Sequence, residues 1–298
     1  MKEKLHKKKK HLAGKIITVI VCALFAFLFI MPTVLTITNS FMEQSEISSN
    51  YGKIFQNFSG GSKTYISDKV TLKFIPDKVT LSQYITALIK SPDYLFKFWN
   101  SVILVVPIVI FQVATAALAA YGLTRWRGKF RSFMFFFYVI LMLMPYQVTL
   151  VPNYLVSDWL GILNTRWAII FPGMFAPFSV FLLTKFMRRI PVSLIEAAKL
   201  DGAGEWQIFT RICLPQCRSA LYSIAMLVFI DYWNMVEQPI AFLKEAEQYP
   251  ISVALAYTPP SETSVQLVCC ILVVLPALFL FTFFNRELVE GIVLAEVK

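Results

Sequence analysis

Six nearly uncharged apolar blocks recur along the chain, at residues 16–39, 101–121, 133–151, 167–184, 220–236 and 265–284. Each is close to the roughly 20 residues that an α-helix needs to cross the hydrocarbon layer of a bilayer. The pattern predicts an all-α, polytopic membrane protein with six transmembrane helices. The fifth block carries Asp231 and the third carries Pro145, so these two are the least uniform, whereas 265–284 holds no charge at all. The longest polar interval, residues 40–99, contains Gly60-Gly61 and an alternating run at 69–75. Alternation of that kind predicts a short strand or two. Beyond Pro76-Asp77, the residues Thr80-Leu-Ser-Gln83 have capping-box spacing, and Leu81, Tyr84, Ile85 and Leu88 form a helical apolar stripe. An amphipathic helix at the membrane rim is expected there. The domain reading is a basic tail (1–15), a first transmembrane helix (16–39), an extracytoplasmic segment (40–99), a five-helix core (100–284) with a cytoplasmic loop at 190–218, and a second tail (285–298).

Composition removes the soluble alternative. Of 298 residues, 57% are hydrophobic and 15% charged, against about 25% charged in a soluble domain. The formal net charge of +10 and the run Lys7-Lys8-Lys9-Lys10 suggest nucleic acid at first sight. Their placement argues against it. With the amino terminus inside, 19 Lys and Arg fall on the cytoplasmic side, and the short opposite loops hold only Arg166 and Lys244. The remaining seven lie in the long 40–99 segment, which crosses regardless of charge. Both termini are therefore expected in the cytoplasm, with the chain in the plasma membrane and no nucleic-acid partner. The first block is too long for a cleavable signal and is expected to remain as a helix. Cys22, Cys213, Cys217, Cys269 and Cys270 read as reduced packing residues. Pro215 between Cys213 and Cys217, and the lack of a nearby histidine, argue against a metal site.

The polar segment between the fourth and fifth blocks is the most informative. Pro191 ends the preceding helix, and Ser193-Leu-Ile-Glu196 has capping-box spacing that predicts a new short helix. Glu196 then lies in the first turn, where the helix dipole favours a carboxylate. Leu194, Ala197 and Ala198 share one face, two of them small, so the helix can press into a groove on another protein. Gly202 stands where a left-handed stop is needed, and a second segment from Ala203 leads through Arg211 to Pro215. The prediction is helix, turn, helix.

The full spacing, Glu196-Ala197-Ala198, Gly202 four residues later and Ile212-Cys-Leu214-Pro215, resembles the EAA loop of ATP-binding-cassette importer permeases. Tyr94-Leu-Phe-Lys-Phe-Trp-Asn-Ser101, Ala119-Ala-Tyr-Gly-Leu-Thr-Arg125, Met144-Pro-Tyr-Gln-Val-Thr-Leu-Val-Pro152, Leu160-Gly-Ile-Leu-Asn-Thr165 and Trp233-Asn234 extend the resemblance to the second permease subunit of carbohydrate importers, the type found in the maltose transporter. The resemblance is weakest over residues 43–78. It implies a type I ABC importer permease fold, a second permease subunit, two ATP-binding-cassette ATPase subunits and an extracytoplasmic solute-binding protein. It also implies that Glu196, Ala197, Ala198, Asp201, Gly202, Leu214 and Pro215 couple this chain to the ATPase. The sequence has no Gly-x-x-x-x-Gly-Lys-Ser/Thr phosphate loop. No cofactor of its own is expected, the ATP being used by the partner.

Candidate solute-pathway residues are Gln112, Gln147, Asp231, Tyr232, Trp233 and Asn234. Polar and ionisable groups within spans are expensive and mark function or interhelical bonding. Asp231 and Asn234 are three apart and share a face, which suits either sugar hydroxyls or another helix. The proline-rich loop 237–264 reads as an outward probe for the binding protein or a plain connector. The only histidines, His6 and His11, lie in the basic tail, and no paired acids, nucleophile with its base, or metal ligands are evident, so an enzyme or a receptor is disfavoured. Fold and motif are shared across cargoes, so a polyol, glycerol phosphate or modified sugar is the alternative to a sugar or oligosaccharide.

Overall fold

The structure, a computed structural model, describes residues 2–59, 72–126, 128–256 and 259–296. The chain divides into two compact units, Met1–Pro92 with Thr258–Leu272, and Asp93–Tyr257 with Val273–Lys298.

In the first unit, α1 (Lys2–Asn39) is one continuous helix whose part Gly14–Asn39 is apolar enough to cross a membrane, with none of its most apolar stretch buried. A second helix, α2 (Gln44–Ser59), follows in a stretch with no helical expectation. Its Glu46 accepts hydrogen bonds from the backbone N–H groups of Asp77 (2.9 Å) and Lys78 (3.2 Å) and pairs with Lys73 at 2.9 Å. Those bonds fasten the returning chain to α2. Of the alternating run, residues 69–71 lie outside the described residues and 72–75 form no strand. The extended pairing among the described residues is a single antiparallel bridge, Met42 to Val79. The predicted amphipathic helix is short: α3 (Ser82–Ile85) runs into a π turn, Thr86–Lys90. The Thr80 hydroxyl accepts from the Ser82 N–H at 3.2 Å. Gln83, which bonds the Met42 carbonyl, and Ala87 are the buried positions, while Leu81, Ile85 and Leu88 face outward.

In the second unit, α4 (Pro92–Arg125) is longer than its apolar block because the flanking residues 92–100 continue the helix. Ala116, Ala117 and Ala120 are buried, as small residues that let helix backbones approach must be. The third block is not one helix. It is α5 (Lys129–Met142) and α6 (Tyr146–Trp159), meeting at 102°. Pro145 is the cause: it carries no N–H for the ladder and disfavours helical geometry at Met144. The fourth block is also interrupted, into α7 (Trp167–Gly173) and α8 (Pro177–Met187), with Ala176 extended before Pro177. At the break, the Thr115 hydroxyl of α4 donates to the Met174 carbonyl at 2.7 Å and so satisfies one backbone group that the interruption frees.

The polar segment forms α9 (Val192–Leu200), α10 (Glu205–Ile208), a π turn (Phe209–Cys213) and α11 (Leu214–Gln216). Then α12 (Arg218–Trp233) leaves at 74° to Glu205–Gln216. The short helices α13 (Glu237–Phe242) and α14 (Ile251–Ala256) occupy the next loop, and α15 (Thr263–Glu296) is the final apolar helix. Among the described residues four stretches are long and apolar enough to cross a membrane, within α1, α4 and α15 and across α7 and α8 together, and six spans result when each bent pair counts as one. Core residues of the second unit come from α4, α7, α8 and α12, with Ile195, Ile208, Phe209 and Cys213 carrying the packing into the α9–α11 segment.

Candidate functional site

The α9–α11 segment is built differently from its expected capping box. Pro191, in extended geometry, is the N-cap of α9, and no side chain caps it. Ser193 already lies inside the first turn, so its hydroxyl is not placed to satisfy the free N–H groups in front of it. The other end matches expectation. Gly202 has φ +84°, its N–H donates to the Lys199 carbonyl (3.0 Å), and the Ala203 N–H donates to the Ala198 carbonyl (2.9 Å). That is the paired bond pattern of a left-handed helix stop. The next helix opens with the Gln207 side chain accepting from the Gly204 N–H at 3.1 Å.

One side of α9 is fixed and the other is bare. Ile195 is 7% exposed and inserts into the core, Ala198 is half-buried, and Leu194, Glu196, Ala197, Asp201 and Gly202 are exposed. Leu200 is 90% and Trp206 66% exposed. Of the other two motif residues, Leu214 packs half-buried against the core and Pro215 is exposed.

Glu205, which the sequence reading did not single out, organises the turn. It pairs with Lys199 at 2.6 Å and with Arg125 of α4 at 3.2 Å, and accepts from the Tyr121 hydroxyl. The Lys199 ammonium, the Tyr121 hydroxyl and the Arg125 guanidinium hold this carboxyl, which opens α10 in the polar segment ahead of the apolar block 220–236, down at about 2. The only sequence signal was an acid at the start of a short helix; two of its three partners, Arg125 and Tyr121, are eighty or more residues away.

A second feature is a cavity of about 520 Å³ at the C-terminal end of α12, lined by Asp231, Tyr232 and Asn234 together with Tyr146, Glu237 and Gln238. Three sequence candidates therefore meet at one place. Asn234 is the C-cap of α12 rather than a mid-helix residue, and its amide donates to the Ile230 carbonyl at 2.8 Å. Trp233 points elsewhere: it is 2% exposed, its indole N–H donates to the Val273 carbonyl at 2.9 Å, and it packs against Phe98 and Phe229. Gln112 is likewise buried at 3%, donating to the Ser179 hydroxyl of α8 at 2.7 Å. Gln147 is exposed at the start of α6, beside the cavity residue Tyr146. Tyr146, Glu237 and Gln238 went unremarked because they follow helix breaks and belong to no periodic face. The five cysteines are free, and the described residues hold no cluster of metal-binding side chains.

Residues 84–292 match the family model described as the binding-protein-dependent transport system inner membrane component. Among curated proteins, an arabinooligosaccharides transport system permease protein of Halalkalibacterium halodurans is 27% identical over 279 residues, covering 93% of this chain and 94% of its own length. A lactose transport system permease protein of Rhizobium radiobacter is 30% identical, covering 76% of this chain and 86% of its own. The fold is similar to a chain in the crystal structure of a bacterial ABC transporter involved in import of the acidic polysaccharide alginate, with TM-score 0.75 and 19% identity over 91% of this chain and 95% of that one. With the family model spanning more than two thirds of its residues, this multi-pass plasma-membrane chain belongs to the permeases of the binding-protein-dependent, ATP-binding-cassette import systems.

Proposed function

We propose that the chain forms half of the translocation pathway of an ATP-driven importer for a sugar or oligosaccharide. A second permease forms the other half, two ATPase subunits supply the energy, and an extracytoplasmic solute-binding protein delivers the cargo. The arabinooligosaccharide and lactose systems of its relatives support a saccharide. The cavity at Asp231, Tyr232, Asn234 and Tyr146 offers carboxylate, phenol and amide groups beside apolar walls, the mixture that sugar hydroxyls and ring faces need.

The observation that carries the coupling role is the asymmetry of α9. The helix is held from behind by Ile195 and braced at its exit by Glu205, yet Leu194, Glu196, Ala197 and Leu200 face away from the chain's own core. An exposed apolar surface on a braced polar segment fits a protein partner. Driving a two-state permease from 1:99 to 99:1 takes about 5.5 kcal/mol of differential interaction, more than a loose contact transmits. Glu196 and the small face of Ala197 and Ala198 are the groups assigned to an ATPase cleft, with Asp201, Gly202, Leu214 and Pro215 shaping the segment behind them.

Removing one partner of a buried ion pair costs about 3 to 5 kcal/mol, so Glu196→Lys is the decisive variant. In proteoliposomes carrying the assembled importer, uptake is expected to fall at least about tenfold, with hydrolysis continuing uncoupled or the ATPase lost from the complex. Uptake equal to wild type would remove Glu196 from the coupling contact.

A further inference from the structure

Three cations at one corner of the second unit face each other without an acid. Arg131 is in the first turn of α5, Lys185 in the last turn of α8, and Arg188 at the C-cap of α8. The two helices meet through Phe135 stacked on Phe181, with ring centroids 5.6 Å apart. Arg188 lies over the Phe135 ring at 4.4 Å and Lys185 over the Phe181 ring at 5.5 Å. Arg131 is one turn before Phe135 on the same helix face. A single aromatic pair is thus crowned by three positive charges.

The crown lacks its counter-charge. Neither α5 nor α8 contains an Asp or Glu. Among the described residues none of the three cations makes an ion pair, in contrast to Lys199 and Arg125, which share Glu205. The Arg131 Nε is buried with no hydrogen-bond partner, an N–H that costs free energy until an acceptor arrives. Arg188 is held below the ordinary arginine range by partial burial and then by the charge of Arg131, so these two repel each other in the structure.

The surroundings select the kind of anion. The three charges stand at the ends of apolar helices, where side chains reach from hydrocarbon to the polar layer. On the flank of α5, Phe130, Phe133 and Phe137 are 52%, 60% and 45% exposed, and α5 has no buried residue. A cationic crown above an uncovered aromatic flank complements an amphiphile with an anionic head. Arginine forks match phosphate oxygens in paired bonds, and basic pockets at helix ends are suited to anionic headgroups. We propose that Arg131, Lys185 and Arg188 hold the phosphate of an anionic phospholipid, its acyl chains lying along the exposed aromatic flank of α5.

The test uses the membrane complex containing the full chain, in nanodiscs of equal parts phosphatidylcholine and phosphatidylglycerol, followed by detergent exchange and native mass spectrometry. Wild type is expected to retain phosphatidylglycerol over phosphatidylcholine by about tenfold or more, and the triple variant R131Q/K185Q/R188Q to fall to near parity. The charge-keeping variant R131K/R188K should retain most of the preference, and R211Q/R218Q, which removes two cations elsewhere, should leave it intact. Unchanged retention in the triple variant, no lipid preference in wild type, or release of the lipid by inorganic phosphate alone would overturn the proposal. So would loss of a protein subunit from the triple variant with lipid retention unchanged, which would assign the crown to a protein acid.

Discussion

Glu205 stands between two segments that the chain brings together from afar: the last turn of α9, through Lys199, and the end of α4, through Arg125 and Tyr121. Its side chain is 53% exposed, so solvent screens each pair and the network is worth about 1 kcal/mol or less. The sign with pH is fixed by the depressed carboxyl. A group ordinarily at 4.5 and held at about 2 contributes fully above 4.5, and the contribution drains away as pH falls toward 2. Glu205→Gln is therefore expected to unfold more readily than wild type at pH 7, with the gap closing as pH drops from about 4.5 to about 2, as read by paired denaturation curves across that range. A constant gap would mean that the carboxylate charge is not what braces the turn. No sequence pattern could have announced this brace, because only folding sets residue 205 against residue 125. Trp233 teaches the complementary lesson: helical spacing put Asp231 and Asn234 on a common side, but only the neighbours Phe98, Phe229 and Val273 decide that the tryptophan between them turns into the packing.

Among the elements, α9 has one end that was legible and one that was not. A glycine placed after a run of good helix formers is a backbone requirement, and Gly202 at φ +84° meets it. Ser193 and Glu196 have the spacing of a cap, yet Pro191 took the N-cap role and moved the start of the helix ahead of the serine. The same contrast holds at Pro145 and Pro177. Each proline marks a break but not its size: α5 and α6 turn by 102° at Pro145, whereas Trp167–Met187 still counts as one span across Pro177. The role of Gly202 can be isolated because a Cβ added there meets nothing within 4 Å. Any loss on substitution is then conformational, about 1 to 2 kcal/mol for an ordinary side chain in the left-handed region and less for asparagine. Gly202→Val is expected to loosen the α9–α10 turn and Gly202→Asn to restore most of it, measured as hydrogen-exchange protection of the Gly202 and Ala203 amides. Equal protection in all three proteins would show that the turn is held by its contacts rather than by its backbone.

At the scale of the whole chain, the quantity that fixes the function of every segment is how many times the chain crosses the membrane. Among the described residues four unbent stretches and two bent pairs allow six crossings, or fewer if a pair returns to the side it came from. Charge decides between them. With both pairs crossing, the cations outside the 40–99 segment divide 19 against 2. If the pair Lys129–Met142 and Tyr146–Trp159 failed to cross, every later segment would change sides and the division would become 13 against 8. Short loops obey the excess of Lys and Arg on the cytoplasmic side, so the first arrangement is favoured, and it places both termini and the α9–α11 segment on the ATP-bearing side. The second leaves Glu196 where no ATPase reaches it. Ala197 and Asp201 are exposed on α9 and its exit, and Lys244 is exposed in the loop after α12, so cysteines at 197 and 244 report the two sides directly. In the full chain with its native cysteines replaced, an impermeant thiol reagent added to intact cells is expected to label position 244 and to spare 197 until the membrane is opened. Labelling of 197 from outside would make the bent pair a re-entrant hairpin and detach the α9 surface from any motor inside the cell.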